Sequence, residues 1–327
     1  MKKMMTSFAG LLLLLMLLIG CGEVTVEDQT VKVQQSTTET DVGQVDTQLT
    51  STGQSGSDQA TFSQADDYRI VSTTVAITQI LDVLELDVVG VPTSGKVLPE
   101  RYDDVTRIGN PMSPDMELVK SLKPTEVLSV TTLQYDLEPV FEDMGVTANF
   151  LNLTSVESMN QAIIDLGTRY DRNKQASELV NTFEQKVSEI EQLSANYNKP
   201  KVLILMGIPG SYLVATEHSY IGDLVRLAGG VNIVQGETAE YLASNTEYLF
   251  QSNPDVILRA AHGMPEEVIK MFDSEFKTND IWKHFDAVKN DRVFDLEEIL
   301  FGTTGNYLAI EAIDALLPML YPELEKN

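Results

Sequence analysis

The sequence predicts an α/β fold of two lobes, each a mainly parallel sheet with flanking helices, joined by one long helix. Three observations carry this. Short apolar runs of strand character alternate with helix-period segments on both sides of the chain's middle. Between them, residues 171–193 keep apolar side chains at steps of three and four with no Gly or Pro inside. Finally, a short pattern recurs: Glu117 stands seven residues before Pro124 and Glu247 seven before Pro254, and a buried-type strand follows each proline. A chain of 327 residues is long enough to bury two cores and leave a cleft between them.

Taken in order, Tyr68-Arg69-Ile70-Val71 reads as a strand, and Val75, Ile77, Ile80, Leu81 and Leu84 then recur at helical spacing. Val88-Val89-Gly90-Val91 is a second strand closed by Pro92, and Glu126 to Val130 is a third, entered through Pro124. The long helix spans about 35 Å at 1.5 Å per residue, a stiff connector rather than a soft hinge. Its stripe is Ala176, Leu179, Val180, Phe183, Val187, Ile190 and Leu193, and it ends before Asn198-Lys199-Pro200. Lys201 to Met206 restarts the strand pattern, and Val256-Ile257-Leu258 forms a strand ending near Leu258. The domain boundaries that follow are 68–170 for the first lobe, 171–197 for the connecting helix and 198–327 for the second lobe.

The N-terminus speaks for the compartment. Lys2 and Lys3 precede an apolar run from Phe8 to Ile19, shorter than the ~20 residues needed to span a bilayer. The run ends in Leu18-Ile19-Gly20-Cys21, which resembles the lipobox of bacterial lipoproteins. Residues 1–20 are then a signal peptide and Cys21 the lipidated N-terminus, placing the protein on the outer face of the cell membrane. Residues 22–67, with nine acids, Lys32 and Phe62, lack the apolar content to offset ordering and are expected to form a tether with Cys21 at its head. Net charge is −26, and losing Lys2 and Lys3 takes it to −28. So acidic a chain will not cover nucleic-acid phosphates. One cysteine excludes an intramolecular disulfide framework, and three histidines are too few for a polynuclear imidazole centre.

Few residues could carry chemistry. Ser72-Thr73-Thr74 precede the first helix; they are N-cap types, serving as caps alone or leaving the following N–H groups for an anion. Thr93-Ser94-Gly95 follows the second strand and can present N–H groups to the same anion, beyond the carboxyl ends of the strands. Met112 sits in Asn110-Pro111-Met112-Ser113-Pro114, a loop fixed by two prolines, where a methionine is either packing or a soft ligand. His262 lies on a strand-to-helix loop, because Pro265, Glu266 and Glu267 look like a first helical turn. His284 reads as structural on an amphipathic helix and His218 as a solvated loop residue. Gly207-Ile208-Pro209-Gly210-Ser211 matches neither a nucleophile elbow nor a phosphate loop, and reads as a tight turn allowing close approach to the cleft. No Ser/His/Asp order or Cys/His pair stands out, so an enzyme has no nucleophile to name.

Pro209 to Thr216, Ser219 to Leu224, His262 to Glu267 and Asn279 to Phe285 together resemble the haem-receptor lipoproteins among the helical-backbone substrate-binding proteins of ABC transporters. The resemblance runs from about Tyr68 to near Leu300. It implies haem iron held between Met112 of one lobe and His262 of the other, an established axial pair. It implies propionate contacts from N–H groups around Thr74, Val75, Ser94 and Gly95. Gly95 departs from the pattern, which has a tyrosine there, and Ala260-Ala261 departs from a Leu-Pro. In such proteins a glutamate in each lobe pairs with permease arginines, and these fall on Glu117 and Glu247. The implied function is capture of haem and delivery, without chemistry, to an ABC permease and its ATPase, by a monomer that an upstream surface haem donor could load. A siderophore or corrinoid receptor is the alternative. Further off stands a haem-degrading or hydrolytic lipoprotein.

Overall fold

The computed structural model describes residues 68–244, 249 and 251–324. The signal segment, Cys21, the tether and Glu247 lie outside the described residues.

The first lobe is built on a five-stranded sheet in the order β3-β2-β1-β6-β7, every pair parallel. Its strands are β1 (Ile70–Ser72), β2 (Gly90–Val91), β3 (Thr106–Arg107), β6 (Glu126–Val130) and β7 (Ala148–Leu151). A separate two-stranded hairpin, β4 (Gly109–Asn110) with β5 (Ser113–Pro114), stands off it. The helices of this half are α1 (Val75–Val83), α2 (Met116–Ser121), α3 (Gln134–Asp143) and α4 (Val156–Arg169). The connector α5 (Asn173–Ser194) follows, 22 residues long.

The second lobe has the order β11-β9-β8-β12-β13 with β10 also on β8. The strands are β8 (Lys201–Ile208), β9 (Ser211–Ala215), β10 (Val231–Asn232), β11 (Tyr241–Ala243), β12 (Val256–Ala261) and β13 (Val293–Leu296). β8, β10, β12 and β13 run parallel, whereas β9 and β11 are antiparallel additions. Its helices are α6 (Tyr220–Leu227), α7 (Pro265–Thr278), α8 (Asp286–Lys289) and α9 (Ala309–Leu320). His284 ends a 3-10 turn, Asp280–His284, rather than lying on an α-helix.

Both sheets are covered on both faces, which is why their parallel strands read as unbroken apolar runs. Along β8, Val202, Ile204 and Met206 join one core, while Leu203 and Leu205 join another with Val268 and Trp282. In the first lobe, Ile70 and Leu128 face the same large core, and Val71 and Val127 pack outward with Phe141. That large core takes side chains from both sheets and from α4 and α5 between them. Ala176, Val180, Phe183 and Ile190 supply the α5 stripe; burying a Phe or Ile side chain contributes roughly 1.5–3 kcal/mol. Leu193, expected in the stripe, is exposed, and Ser194 is the buried residue of the last turn. Where α4 meets α5, Gly167 allows the crossing: a Cβ there would collide with Ala176 and lie 3.1 Å from the Arg172 carbonyl oxygen.

β12 is longer than the sequence implies. Arg259 looks like the end of the apolar run, yet the strand continues to Ala261. The charge is tolerated because Nε and Nη2 donate to Asp295 at 2.7 and 2.6 Å and Nη2 also reaches Asp273 at 3.0 Å. The guanidinium also lies 5.6 and 5.3 Å from the ring centroids of Phe272 and Phe276.

Candidate functional site

The carboxyl ends of β1 and β2 and the β4–β5 hairpin in one lobe, and the carboxyl ends of β12 and β13 in the other, carry the candidate residues. Thr74 caps α1, its Oγ1 accepting from Ile77 N–H at 3.4 Å. Its side chain is therefore spent on the cap, while the N–H groups of the first turn have no intrahelical acceptor. Thr73 is tied back to β6 through the Leu128 carbonyl, which fixes where that turn begins. Thr93, Ser94 and Gly95 follow β2 and are exposed. Thr93 N–H donates to the Gly109 carbonyl, and Ser94 Oγ accepts from Lys96 N–H at 3.0 Å. A Cβ at Gly95 would meet nothing within 4 Å, so the space beside it is open.

Met112 stands at the tip of the β4–β5 hairpin with 66% of its surface exposed. The tip is a fixed platform: Met112 N–H donates to Asn110 Oδ1 at 2.8 Å, and Gly109 has a φ of +97°, which glycine alone takes readily. A thioether held in solvent is not core filler.

His262 comes directly after the last residue of β12 and is exposed. Its N–H donates to the Gly207 carbonyl at 2.8 Å, extending the β12–β8 ladder by one bond. Gly263 and Met264 are both left-handed, at φ +73° and +47°, turning the chain sharply into α7. Crowding by protein lowers the imidazole pKa below its ordinary 6.5; the Lys96 charge lowers it further and Glu298 opposes both. A neutral imidazole is the form that binds a metal.

The two lobes meet beside this histidine. Lys96 Nζ lies 3.6 Å from Glu298 Oε1, and that same oxygen accepts from Gly263 N–H at 3.3 Å. Neither residue is among the sequence-level candidates. Glu298 stands on a turn closed by Leu300 and Phe301 N–H donating to the Glu297 carbonyl, with Phe301 buried as the anchor. Exposed apolar residues border the same loops: Val97 next to Lys96, Ile299 next to Glu298, and Met264 two residues after His262. Exposed apolar side chains from both lobes beside an imidazole suit a flat, apolar, metal-bearing guest. The signal was present in the sequence, as large apolar residues in loops after strands.

Other candidates separate from this place. The close approach at Gly207 is to α7 and not to the cleft: an added Cβ would lie 2.7 and 2.9 Å from Phe272 Cε2 and Cζ, and closer still to Val268. His218 lines a cavity of about 570 Å³ with Glu157, Glu217 and Glu240, polar in character and without Met112 or His262. Among the described residues no group of three or more His, Cys, Asp or Glu could hold a metal ion. Glu117 is exposed in the first turn of α2.

Two α/β lobes on a helical connector, with opposed loops from strand ends, define a ligand-binding receptor. The chain belongs to the periplasmic binding protein family, which matches residues 70–300. It is 50% identical over 276 residues to the high-affinity heme uptake system protein IsdE of Staphylococcus aureus (strain Newman), covering 84% of this chain and 94% of that one. The crystal structure of S. aureus IsdE complexed with heme superposes with a TM-score of 0.76 at 52% identity, over 78% of this chain and 99% of that one. An ABC transporter substrate-binding protein from Listeria monocytogenes EGD-e gives 0.75 at 56% identity, with the same coverage of 78% and 99%. These are binding proteins of transporters and not enzymes, in keeping with the lack of a nucleophile in the sequence reading.

Proposed function

We propose that this protein is a haem receptor of an ABC import system. Haem is captured in the cleft between the lobes and passed unaltered to a permease and its ATPase. Met112 from the first lobe and His262 from the second bind the iron on opposite faces, and haem is cargo rather than a catalytic cofactor. What supports this reading is that each lobe displays one exposed ligand on a fixed loop, the Met112 thioether on the hairpin and the His262 imidazole at the end of β12. Half-identity to a heme uptake protein over most of both chains supports it.

The propionates meet N–H groups around Thr74, Val75, Ser94 and Gly95 rather than a basic patch. Lys96, the cation nearby, is already matched by Glu298. Cys21 carries the lipid that anchors residues 22–67 as a tether, holding the lobes outside the membrane. Among the described residues no helix is long and apolar enough to cross a membrane. Glu117 and Glu247 dock on the permease, one per lobe.

The test is the visible spectrum of the protein with one equivalent of haem. The wild type should give a six-coordinate spectrum. His262→Ala should leave a five-coordinate or mixed species that loses haem faster, and Met112→Ala a milder change. Unchanged spectra in both variants would remove the assignment.

A further inference from the structure

Glu298 makes two contacts with one oxygen: it accepts from Gly263 N–H in the loop that carries His262, and it faces Lys96 of the other lobe. The pair joins residues 202 positions apart, one on the β2 loop and one on the turn after β13. We propose that Lys96–Glu298 is a latch across the mouth of the cleft which sets how long bound haem remains, with Glu298 the positioning residue that couples the latch to the His262 loop.

The inference rests on the haem reading above and adds two residues to it. Three features favour a latch over an incidental surface pair. Only 37% of the Lys96 side chain and 21% of the Glu298 side chain are exposed, so water screens the pair less than most. The Glu298 turn is anchored by buried Phe301, and the Lys96 backbone is braced by the Ser94 hydroxyl, so little backbone freedom is left to lose. The pair also joins the two lobes directly, so lobes that each hold one iron ligand cannot part without breaking it. Lys96 thus serves the lobe contact, which keeps its charge from the propionates.

The experiment is a double-mutant cycle on the rate of haem transfer from the loaded protein to excess apomyoglobin. Glu298→Gln keeps an oxygen for Gly263 N–H but removes the charge; Lys96→Met removes the other partner. Each should speed haem loss about fivefold, equivalent to about 1 kcal/mol, while the six-coordinate spectrum stays as in the wild type. The double variant should lose haem no faster than either single one. Glu298→Ala, which removes the acceptor of Gly263 N–H as well as the charge, should in addition disturb the spectrum by freeing the His262 loop. Added salt should hasten loss from the wild type more than from the variants. Rates unchanged in both single variants, or effects that add in the double, would each overturn the latch while leaving the haem site standing. A wild-type protein that forms no haem complex would overturn the haem reading and the latch with it.

Discussion

Gly207→Ala places one methyl group at the contact between β8 and α7. Its carbon would lie 2.7 Å from Phe272 Cε2 and 2.9 Å from Cζ, and closer still to Val268 Cγ1. Carbon atoms rest at about 3.5–4.0 Å, so α7 must withdraw by roughly 0.8 Å or more. Phe272 has little room to yield, since the Arg259 guanidinium lies 5.6 Å and the Tyr212 ring 5.8 Å from its centroid. Val268 is buried as well and belongs to the same outer core. Overpacking of this kind costs about 1–3 kcal/mol. For a chain of this size roughly 2–4 °C is lost per kcal/mol, so the melting temperature should fall by about 2–12 °C. The shift has a functional side, because α7 begins at Pro265 and Gly207 itself accepts the His262 N–H. Displacing α7 therefore moves the imidazole, and haem should stabilise the variant less than the wild type. Thermal melts with and without one equivalent of haem, read by circular dichroism, measure both effects. A variant melting with the wild type, with the same gain on adding haem, would refute the claim that β8–α7 contact positions His262.

Three further outcomes are expected. Because His262 titrates below its ordinary 6.5, its neutral, iron-binding form survives mild acid; its contribution to stability is full above 6.5 and declines as pH falls through the lowered value. Haem release followed by absorbance should then have its midpoint below pH 6.5, and a midpoint above it would contradict the assignment. Gly95→Tyr enters open space at an ordinary φ and should slow haem transfer to apomyoglobin by supplying the absent wall; a faster loss would show that the wall obstructs the guest. Glu117→Lys with Glu247→Lys should leave the haem spectrum intact and impair growth on haem as the iron source; normal growth would end the docking assignment.

Parallel strands buried on both faces and the α5 stripe are legible in sequence because burial imposes an apolar run or a 3.6 period directly. Glu126 to Val130, and the restart at Lys201, are found for that reason. The end of β12 is not, since Arg259 interrupts the run and the aspartates that neutralise it stand 14 and 36 residues away. β9 and β11 pass unnoticed because Ser211–Ala215 and Tyr241–Ala243 are short additions to a sheet whose central strands carry the pattern. Met112 and His262 draw notice through their prolines and the resemblance. Lys96 and Glu298 cannot, because an ion pair between distant loops leaves no periodic trace. Leu193 errs the other way: it continues the step of three from Ile190, yet the face covered at the last turn is the one that Ser194 occupies.

The core that runs through both sheets by way of α4 and α5 has a consequence for how the molecule comes apart. Ile70 and Leu128 share one apolar interior with Val202, Leu258 and Phe183, so neither half owns a complete interior. Melting should be a single cooperative event rather than two, and a fragment ending before α5 should fail to fold. An extracytoplasmic protease would then meet either an intact receptor or an open chain, with no half-folded survivor to hold haem loosely or to occupy a permease without cargo.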